Sequence, residues 1–452
     1  EGISPNAVTF ISILKVCGST GAIERAEQTH NEIVHGSFLK KSVQLGNALV
    51  DMYGKCGMFA KAHEVLKKLP GQDVASWNSL ISGYTEHGQG YDALNCFESM
   101  QSEGLSPNAV TYICILKACG RAGAVQKGKQ IHDEIISRDM LENDLILGNT
   151  LVDMYVKFDM LATAREVLEQ LPMRDAISWN ILISGYSHQG QYHEAFNCFE
   201  QMQIEGLSGD LVTFVCILKV CGNMGVIDKA KEIHGHIMNK RLLEKDVIIG
   251  NALVDMYAKN GVLGEARKVH EELPFRDLVS WNALISGYSN QGQGREVLDC
   301  FEQMQAEGIP PDEITFILLM SACSHLGLLD EAEKLFGYMT EKHGIIPDLW
   351  HQTGMVVVFG CVGKFERAMS VISAMPSSDY LTVWLALLGS CRKWGNVKLG
   401  SLAFDRIVKL DERCGAAYVL MADIFSSSGM QEDAKKVKYM QFKHSGISTH
   451  RL

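Results

Sequence analysis

The sequence has no excess of positive charge, since 42 Lys and Arg residues stand against 53 Asp and Glu residues and the formal net charge is −11. Such a balance argues against a protein that binds nucleic acid by general electrostatic attraction. Any nucleic acid bound by this chain must therefore be met by a local surface.

Cysteine motifs and long apolar runs are also missing. The 13 cysteines contain no Cys-x-x-Cys pair and no regular pairing of the kind that marks a disulfide framework. We therefore expect a reducing compartment. The longest uncharged apolar run, around Met355–Val362, is too short for a membrane span of about 20 residues. No basic, serine-rich leader opens the sequence, and we expect any targeting peptide to lie outside it.

What the sequence does contain is a long internal repeat. The segment Asp277–Tyr288 returns in nearly the same letters at Asp175–Tyr186 and at Asp73–Tyr84, with a spacing of 102 residues each time. Four cysteines follow the same spacing inside helical patterns, as small buried apolar residues do; they are Cys17, Cys119, Cys221 and Cys323. The chain is therefore an array of units rather than a set of ordinary globular domains.

Each period divides into a long, a short and a standard repeat of 36, 31 and 35 residues. The first period consists of Ala7–Ser42, Val43–Asp73 and Val74–Asn108, and the next two periods have the same lengths. A fourth long repeat ends at residue 348. It is followed by a divergent short repeat at 349–380, two more helical pairs at 381–448 and a tail at 449–452.

Each repeat has the pattern of two amphipathic helices joined by a turn. In Val74–Asn108 we expect Ser76 to cap a helix whose apolar stripe includes Trp77, Leu80 and Tyr84, and a second stripe follows Gly90. Two short helices cannot cover their own apolar faces, so neighbouring repeats must stack. The pattern predicts an all-α solenoid of stacked helix-turn-helix repeats.

Several motifs resemble those of the pentatricopeptide repeat family. They are Asn-Ala-Leu-Val-Asp-Met-Tyr at Asn47–Tyr53 and Asn251–Tyr257, Ser-Trp-Asn-x-Leu-Ile-Ser-Gly-Tyr in the standard repeats, and Ile-Leu-Lys-x-Cys in the long repeats. The alternation of long, short and standard lengths is similar to the PLS subclass of plant organellar RNA editing factors. The resemblance implies a right-handed superhelix whose first helices line the inner groove, and it identifies 381–448 as two extension (E) motifs.

The tetratricopeptide repeat is the natural competitor, because it is also a helical pair of about 34 residues. Its repeat length does not alternate, and its Trp-x-x-Leu-Gly pattern is missing here. The pentatricopeptide interpretation is therefore favoured.

The resemblance implies that each repeat reads one RNA base through its fifth and last residues. An Asn amide offers both donors and an acceptor to a pyrimidine edge, and the closing Asp can orient that amide. The implied pairs are Asn47 with Asp73, Asn78 with Asn108, Asn149 with Asp175, Asn180 with Asp210, Asn251 with Asp277, and Asn282 with Asp312. A single Asn/Asp pair of this kind would most often be a helix cap, whereas six such pairs at equivalent positions of successive repeats indicate a shared function.

In the family's correspondence Asn with Asp favours uracil and Asn with Asn favours cytosine. The long repeats carry Ile113, Val215 and Ile317 at the fifth position, which cannot hydrogen-bond a base. The implied target, 5′ to 3′, is nUCnUUnUUnn. Each good contact is worth about 1–3 kcal/mol.

Two further sets of residues are implied to meet the RNA. Apolar residues at the second position of a repeat would lie between adjacent bases; they are Ile146, Ile177, Ile248 and Val279. Gln44 and Ala75, at the same position of the first short and standard repeats, depart from this pattern. Lysines eight residues after a reading Asn lie on the same helix face and either meet phosphates or form i,i+4 pairs with aspartates; they are Lys55, Lys157 and Lys259.

No catalytic or metal-binding residue is predicted, and no cofactor. His30-Asn31-Glu32 and His132-Asp133-Glu134 have the spacing of half a zinc deaminase site, but the second half, Pro-Cys-x-x-Cys, is absent and the third copy reads His-Gly-His. The resemblance therefore implies that a DYW-type cytidine deaminase is supplied by a further domain or by a partner recruited through residues after Leu381.

Together these features predict a site-recognition factor for C-to-U editing of single-stranded RNA in the mitochondrion or chloroplast, without a membrane partner. Two alternatives stay open. The first is RNA binding for transcript stabilisation or splicing. The second is a protein-binding helical scaffold, for which the acidic balance is the only support.

Overall fold

The structure is a computed structural model that describes residues 5–36, 38, 42–142, 144–244, 246–376 and 380–444. Within these ranges the chain is built from α-helices and short connections, and no β-strand occurs. The predicted tail at 449–452 and the end of the predicted extension region, 445–448, lie outside the described residues. The chain divides into two compact units between Val220 and Cys221.

In the N-terminal unit the first and second helices of successive repeats alternate, and the dividing point falls inside the last helix. The helices are α1 Ala7–Thr20, α2 Ile23–His35, α3 Val43–Lys55, α4 Phe59–Lys68, α5 Val74–Glu86, α6 Gly90–Ser102, α7 Ala109–Ala122, α8 Val125–Ser137, α9 Leu145–Lys157, α10 Leu161–Gln170, α11 Ala176–His188, α12 Tyr192–Ile204 and α13 Leu211–Met224.

The C-terminal unit has the same alternation, and its last four helices form two pairs in the region predicted to contain extension motifs. The helices are α14 Ile227–Asn239, α15 Val247–Lys259, α16 Leu263–Glu272, α17 Leu278–Asn290, α18 Gly294–Ala306, α19 Glu313–Leu326, α20 Leu329–Glu341, α21 Leu349–Cys361, α22 Phe365–Ala374, α23 Leu381–Trp394, α24 Val397–Leu410, α25 Gly415–Ser427 and α26 Gln431–His444. No helix among the described residues is both long enough and apolar enough to cross a membrane.

The start of α5 shows how a first helix is capped. Asp73 is extended, and its carboxylate accepts a hydrogen bond from the backbone N–H of Ser76 at 2.8 Å. Ser76 Oγ in turn accepts from the backbone N–H of Asp73 at 3.4 Å, which completes a capping box. The prediction that Ser76 is the cap is therefore wrong: Asp73 caps the N–H groups that lack an intrahelical partner, and Ser76 is the third helical residue.

Successive first helices approach closely at the glycine of the Ser-Gly-Tyr motif. A Cβ atom on Gly83 of α5 would lie 2.8 Å from the Cα of Gly54 in α3. The equivalent Cβ on Gly287 of α17 would lie 2.6 Å from the Cβ of Ala258 in α15. Carbon atoms in good contact are about 3.5–4.0 Å apart, so these positions have no room for a side chain.

The core runs along the helix pairs rather than around one centre. Trp77, Trp179 and Trp281, at equivalent places in the three standard repeats, are buried. The four periodic cysteines predicted to behave as buried apolar residues are also buried, and all 13 cysteines are free thiols. Repeats of the same type thus contribute the same buried side chains to the core of their unit, as stacked repeats require.

Candidate nucleic-acid interface

In the six short and standard repeats that have Asn as their fifth residue, this Asn contacts the last residue of the same repeat. In every case the Asn amide nitrogen donates to a side-chain oxygen of that last residue. In the N-terminal unit the distances are 3.1 Å for Asn47 and Asp73, 3.2 Å for Asn78 and Asn108, 3.3 Å for Asn149 and Asp175, and 3.0 Å for Asn180 and Asp210. In the C-terminal unit they are 3.0 Å for Asn251 and Asp277 and 3.0 Å for Asn282 and Asp312.

Capping and pairing are not alternatives at these positions. Asp175 Oδ1 accepts from the backbone N–H of Ser178 at 2.8 Å, which caps α11, and the same oxygen accepts from Asn149. Asn108 plays both parts as well, capping α7 through Thr111 and accepting from Asn78. The cap fixes the carboxylate or amide oxygen, and that oxygen then accepts a hydrogen bond from the Asn on the first helix of the preceding repeat.

The carboxylates in the N-terminal unit are held in their ionised form. Burial raises the pKa of Asp175, but hydrogen bonds from Ser178 and Asn149 outweigh it and leave the pKa below its usual value. The pKa values of Asp73 and Asp210 are lowered by the same balance. Since an ionised carboxylate only accepts, the Asn beside it must present its N–H to the acid.

A groove in the N-terminal unit collects several of these residues. It has a volume of about 480 Å³ and is lined by the first helices α9, α11 and α13 together with their flanking loops. Asn180 and Asp210 lie in its wall with Ile177, Val212 and Lys157. An Asn–Asp pair, two apolar side chains and a lysine therefore line one concave surface.

The apolar residues at the second position are exposed. Ile146 is 66% exposed, and Ile177, Ile248 and Val279 are all more than half exposed. Gln44 and Ala75, which depart from the apolar pattern, are exposed as well. Exposed apolar side chains thus recur at the second position of these repeats.

The exposed apolar set has further members that were not predicted from the sequence. The second residues of long repeats and of the divergent short repeat are exposed in the same way, although the apolar pattern was predicted only for short and standard repeats. The signal that identifies them is position two of each repeat; they are Val8, Val110, Val212, Ile314 and Trp350.

The three candidate phosphate-binding lysines are paired within their own helices. The distances from Nζ to the aspartate one turn earlier are 2.8 Å for Lys55 and Asp51, 2.6 Å for Lys157 and Asp153, and 2.6 Å for Lys259 and Asp255. Such partly exposed pairs are worth only a few tenths of a kcal/mol. A phosphate can displace the aspartate at little cost, so the two predicted uses of these lysines are compatible.

The divergent short repeat has no reading pair of this type. Its fifth residue, Thr353, donates its hydroxyl proton to the backbone carbonyl of Leu349 at 2.6 Å. The hydroxyl is therefore bonded to its own helix rather than to the last residue of the repeat.

The histidines with deaminase-like spacing have structural partners. Nδ1 of His30 and the hydroxyl of Tyr53 share a hydrogen bond at 2.7 Å, and Nδ1 of His132 lies 2.8 Å from the hydroxyl of Tyr155. Burial lowers the pKa of both histidines. Each histidine thus joins the second helix of a long repeat to the first helix of the next short repeat.

Sequence comparison identifies relatives over nearly the whole chain. The PPR repeat family model matches residues 72–121, 174–223 and 276–325, and the PPR repeat model matches 47–74, 110–140, 251–278 and 314–343. A chloroplastic pentatricopeptide repeat-containing protein of Arabidopsis thaliana is 34% identical over 95% of this chain and 81% of its own length. A mitochondrial one is 32% identical over 97% of this chain and 50% of its own length. For some relatives the chain spans only about half of the relative's length.

Two solved structures share the fold. The crystal structure of the pentatricopeptide repeat protein PPR10 in complex with an 18-nt psaJ RNA element matches with a TM-score of 0.75 at 19% identity, over 98% of this chain and 70% of that chain. The crystal structure of PPR10 from maize matches with a TM-score of 0.56, also at 19% identity, over 98% of this chain and 75% of that chain. The predicted all-α solenoid is confirmed. This chain belongs to the pentatricopeptide repeat family.

Proposed function

We propose that the chain binds single-stranded RNA in a sequence-specific manner, with one base facing each repeat. The observation that carries this proposal is the groove between α9 and α13, which brings Asn180, Asp210, Ile177, Val212 and Lys157 to one concave surface. Its volume of about 480 Å³ is within the usual range for ligand sites. The structurally similar PPR10 is in complex with RNA in its crystal structure, which supports the same ligand class.

The chemistry of the pairs suits a pyrimidine edge. Asn180 uses one amide N–H on Asp210, and its oxygen accepts from the Thr213 hydroxyl, which leaves one N–H and one lone pair for a base. Uracil presents an N–H between two carbonyl oxygens and thus needs an acceptor beside a donor. Ile177 and Val212 line the same groove, and in this proposal their apolar side chains sandwich the base.

Base contacts rather than overall charge must provide the affinity. The groove contains Asp153, Asp159 and Asp210 as well as Lys157, and the whole chain has a net charge of −11. We therefore propose that Lys55, Lys157 and Lys259 make a small number of phosphate contacts and that the six pairs supply specificity, with nUCnUUnUUnn as the target.

We further propose that the bound RNA is a substrate for C-to-U editing. The support is the alternation of 36-, 31- and 35-residue repeats, typical of the PLS subclass, and the two extension-like helix pairs from Leu381 onward. In this account the deaminase is a further domain or a separate DYW-type partner. Chloroplastic and mitochondrial relatives favour an organellar location.

Sequencing of organellar transcripts from a plant that lacks the protein tests the editing role. The expected result is the loss of a C-to-U conversion downstream of a sequence that fits the target. Complementation sharpens the test: a gene carrying Asn180→Ala should fail to restore editing, whereas Lys68→Ala, on a second helix outside the groove, should restore it. Unchanged editing together with altered transcript abundance or splicing would contradict the editing role.

A further inference from the structure

A third side chain meets the reading amide from the next repeat. The hydroxyl oxygen of Ser178, the third residue of α11, lies 2.6 Å from Oδ1 of Asn149 and is fully buried. The same contact recurs at 2.7 Å between Ser76 and Asn47, at 2.6 Å between Thr213 and Asn180, and at 2.7 Å between Thr315 and Asn282.

The single hydroxyl proton has two possible acceptors. The oxygen of Thr213 lies 2.6 Å from Asn180 Oδ1 and 2.9 Å from Asp210 Oδ1, and it accepts from the backbone N–H of Asp210 at 3.1 Å. Asp210 Oδ1 already accepts from the backbone N–H of Thr213 and from the amide of Asn180. The shorter distance and the less occupied acceptor both direct the proton to the Asn oxygen.

The sequence pattern connects this hydroxyl with the reading Asn. Every repeat that has Asn at its fifth position is followed by a repeat with Ser or Thr at its third; the six hydroxyl residues are Ser76, Thr111, Ser178, Thr213, Ser280 and Thr315. Long repeats have Ile or Val at the fifth position, and the repeats that follow them have no hydroxyl at the third; the residues there are Leu45, Leu147, Ile249 and His351.

Helix capping alone does not explain this pattern. Asp144 caps α9 by accepting from the backbone N–H of Leu147 at 3.0 Å, with no hydroxyl at the third position. A cap can therefore form in either kind of repeat. The third-position hydroxyl instead correlates with the fifth residue of the preceding repeat. That residue is Asn where the hydroxyl is present, and it is Ile or Val in the long repeats, after which the hydroxyl is absent.

Two of the six hydroxyls are turned to other acceptors. Thr111 donates to Asn108 Oδ1 and Ser280 donates to the backbone carbonyl of Asp277. In both cases the buried oxygen of the reading amide, in Asn78 and Asn251, has no partner. The contact is therefore formed in four of the six repeats, and in the other two a hydroxyl residue stands at the same third position beside a buried acceptor that lacks a donor.

We infer that the third-position hydroxyl is a specificity-determining positioning residue, which fixes the amide of the preceding repeat with its oxygen toward the hydroxyl and its N–H toward the acid. This inference rests on the proposed RNA-binding function. The base is thus read by an amide held at both ends. Without the hydroxyl the carboxylate alone opposes an amide flip, and a flip exchanges the donor and acceptor presented to the base.

Thr213→Val tests the inference, because it removes the hydroxyl and nearly preserves shape, and Thr213→Ser is the matched control that keeps the hydroxyl. The readout is the ratio of Kd values for C and U at the nucleotide facing Asn180, with the nucleotide facing Asn149 as an internal reference. We expect Thr213→Val to reduce the U preference about fivefold at the first nucleotide only, as befits one neutral hydrogen bond. Thr213→Ser should stay within about twofold of wild type.

The possible outcomes distinguish failure of the positioning role from failure of the proposed RNA-binding function. An unchanged U preference in Thr213→Val, or an equal change at both nucleotides, overturns the positioning role and leaves the proposed function standing. A wild-type protein with no base preference at either nucleotide overturns the proposed function and this inference with it. If Thr213→Val lowers the melting temperature too far for binding, Ser178→Ala with Ser178→Thr gives the same comparison at the nucleotide facing Asn149.

Discussion

At the scale of single side chains, one of the six Asn pairs differs from the others because its last residue is Asn108 rather than an aspartate. Its oxygen occupies the place of a carboxylate oxygen, since it caps α7 through Thr111 and accepts from Asn78 at 3.2 Å. Its NH₂ group, however, replaces the second carboxylate oxygen and can donate. The environment of Asn78 therefore lacks the negative charge that surrounds Asn180 beside Asp210.

Asn108→Asp should change the base preference at one nucleotide. The substitution restores a carboxylate acceptor beside Asn78 without altering the cap, so we expect the preference facing this repeat to move from C to U by about tenfold. Binding titrations with oligonucleotides that differ only at this nucleotide measure the change. Asp210→Asn is the reciprocal variant and should move its own nucleotide from U toward C. No shift in either variant would show that the last residue does not set the base.

At the level of helices, the close contact between α3 and α5 depends on Gly83. We expect Gly83→Ala to destabilise the protein by about 1–3 kcal/mol, because the added methyl group meets the backbone of Gly54 at 2.8 Å. Thermal unfolding followed by circular dichroism measures the loss. Gly235→Ala is the control: Gly235 lies inside α14 with open space around its Cβ position, and alanine there should stabilise slightly. Equal effects of both substitutions would contradict the packing account.

Helix α16 contains a buried histidine where the equivalent helices have leucine. His270 packs edge-on against Trp281 at 4.3 Å, and it takes the place of Leu66 and Leu168 in the preceding periods. Burial, assisted by Arg276, lowers the pKa of His270 to about 4. His270 therefore binds a proton more readily in the unfolded chain than in the folded chain. As a result, the free energy of unfolding falls as the pH drops from about 6.5 toward 4.

His270→Leu should remove this acid sensitivity. At pH 5 the substitution is expected to relieve a penalty of about 2 kcal/mol, whereas at pH 7.5 the histidine is neutral in both states and the penalty is absent. Melting temperatures of wild type and variant across this range provide the test. Parallel curves for the two proteins would refute the contribution assigned to His270.

The helices and their repetition could be predicted from sequence because apolar periodicity, glycine and capping residues are local signals. The Asn pairs were accessible through the family resemblance, and the structure adds that Asp73 both caps α5 and holds Asn47. The role of Ser76 was not accessible. Its hydroxyl contacts Asn47, 29 residues earlier, and only the stacking of two repeats brings them together.

For the whole molecule, the acidic balance predicts a shallow salt dependence of RNA binding. Three lysine contacts to a single strand correspond to a slope of about 2 in a plot of log Kd against log salt concentration. Lys157→Ala should reduce that slope by about 0.7. Lys68→Ala, which removes a charge paired with Glu64 on a second helix, should not change it. An unchanged slope in Lys157→Ala would exclude a phosphate contact by this lysine.

The central claim is that six side-chain pairs on stacked helices select pyrimidines along one RNA strand. It is tested most directly by the affinity of the protein for an oligonucleotide containing UCnUUnUU, compared at the same salt concentration with one in which the six coded pyrimidines are purines. The account predicts that the coded sequence binds at least about 100-fold more tightly. Equal affinities for the two would contradict it.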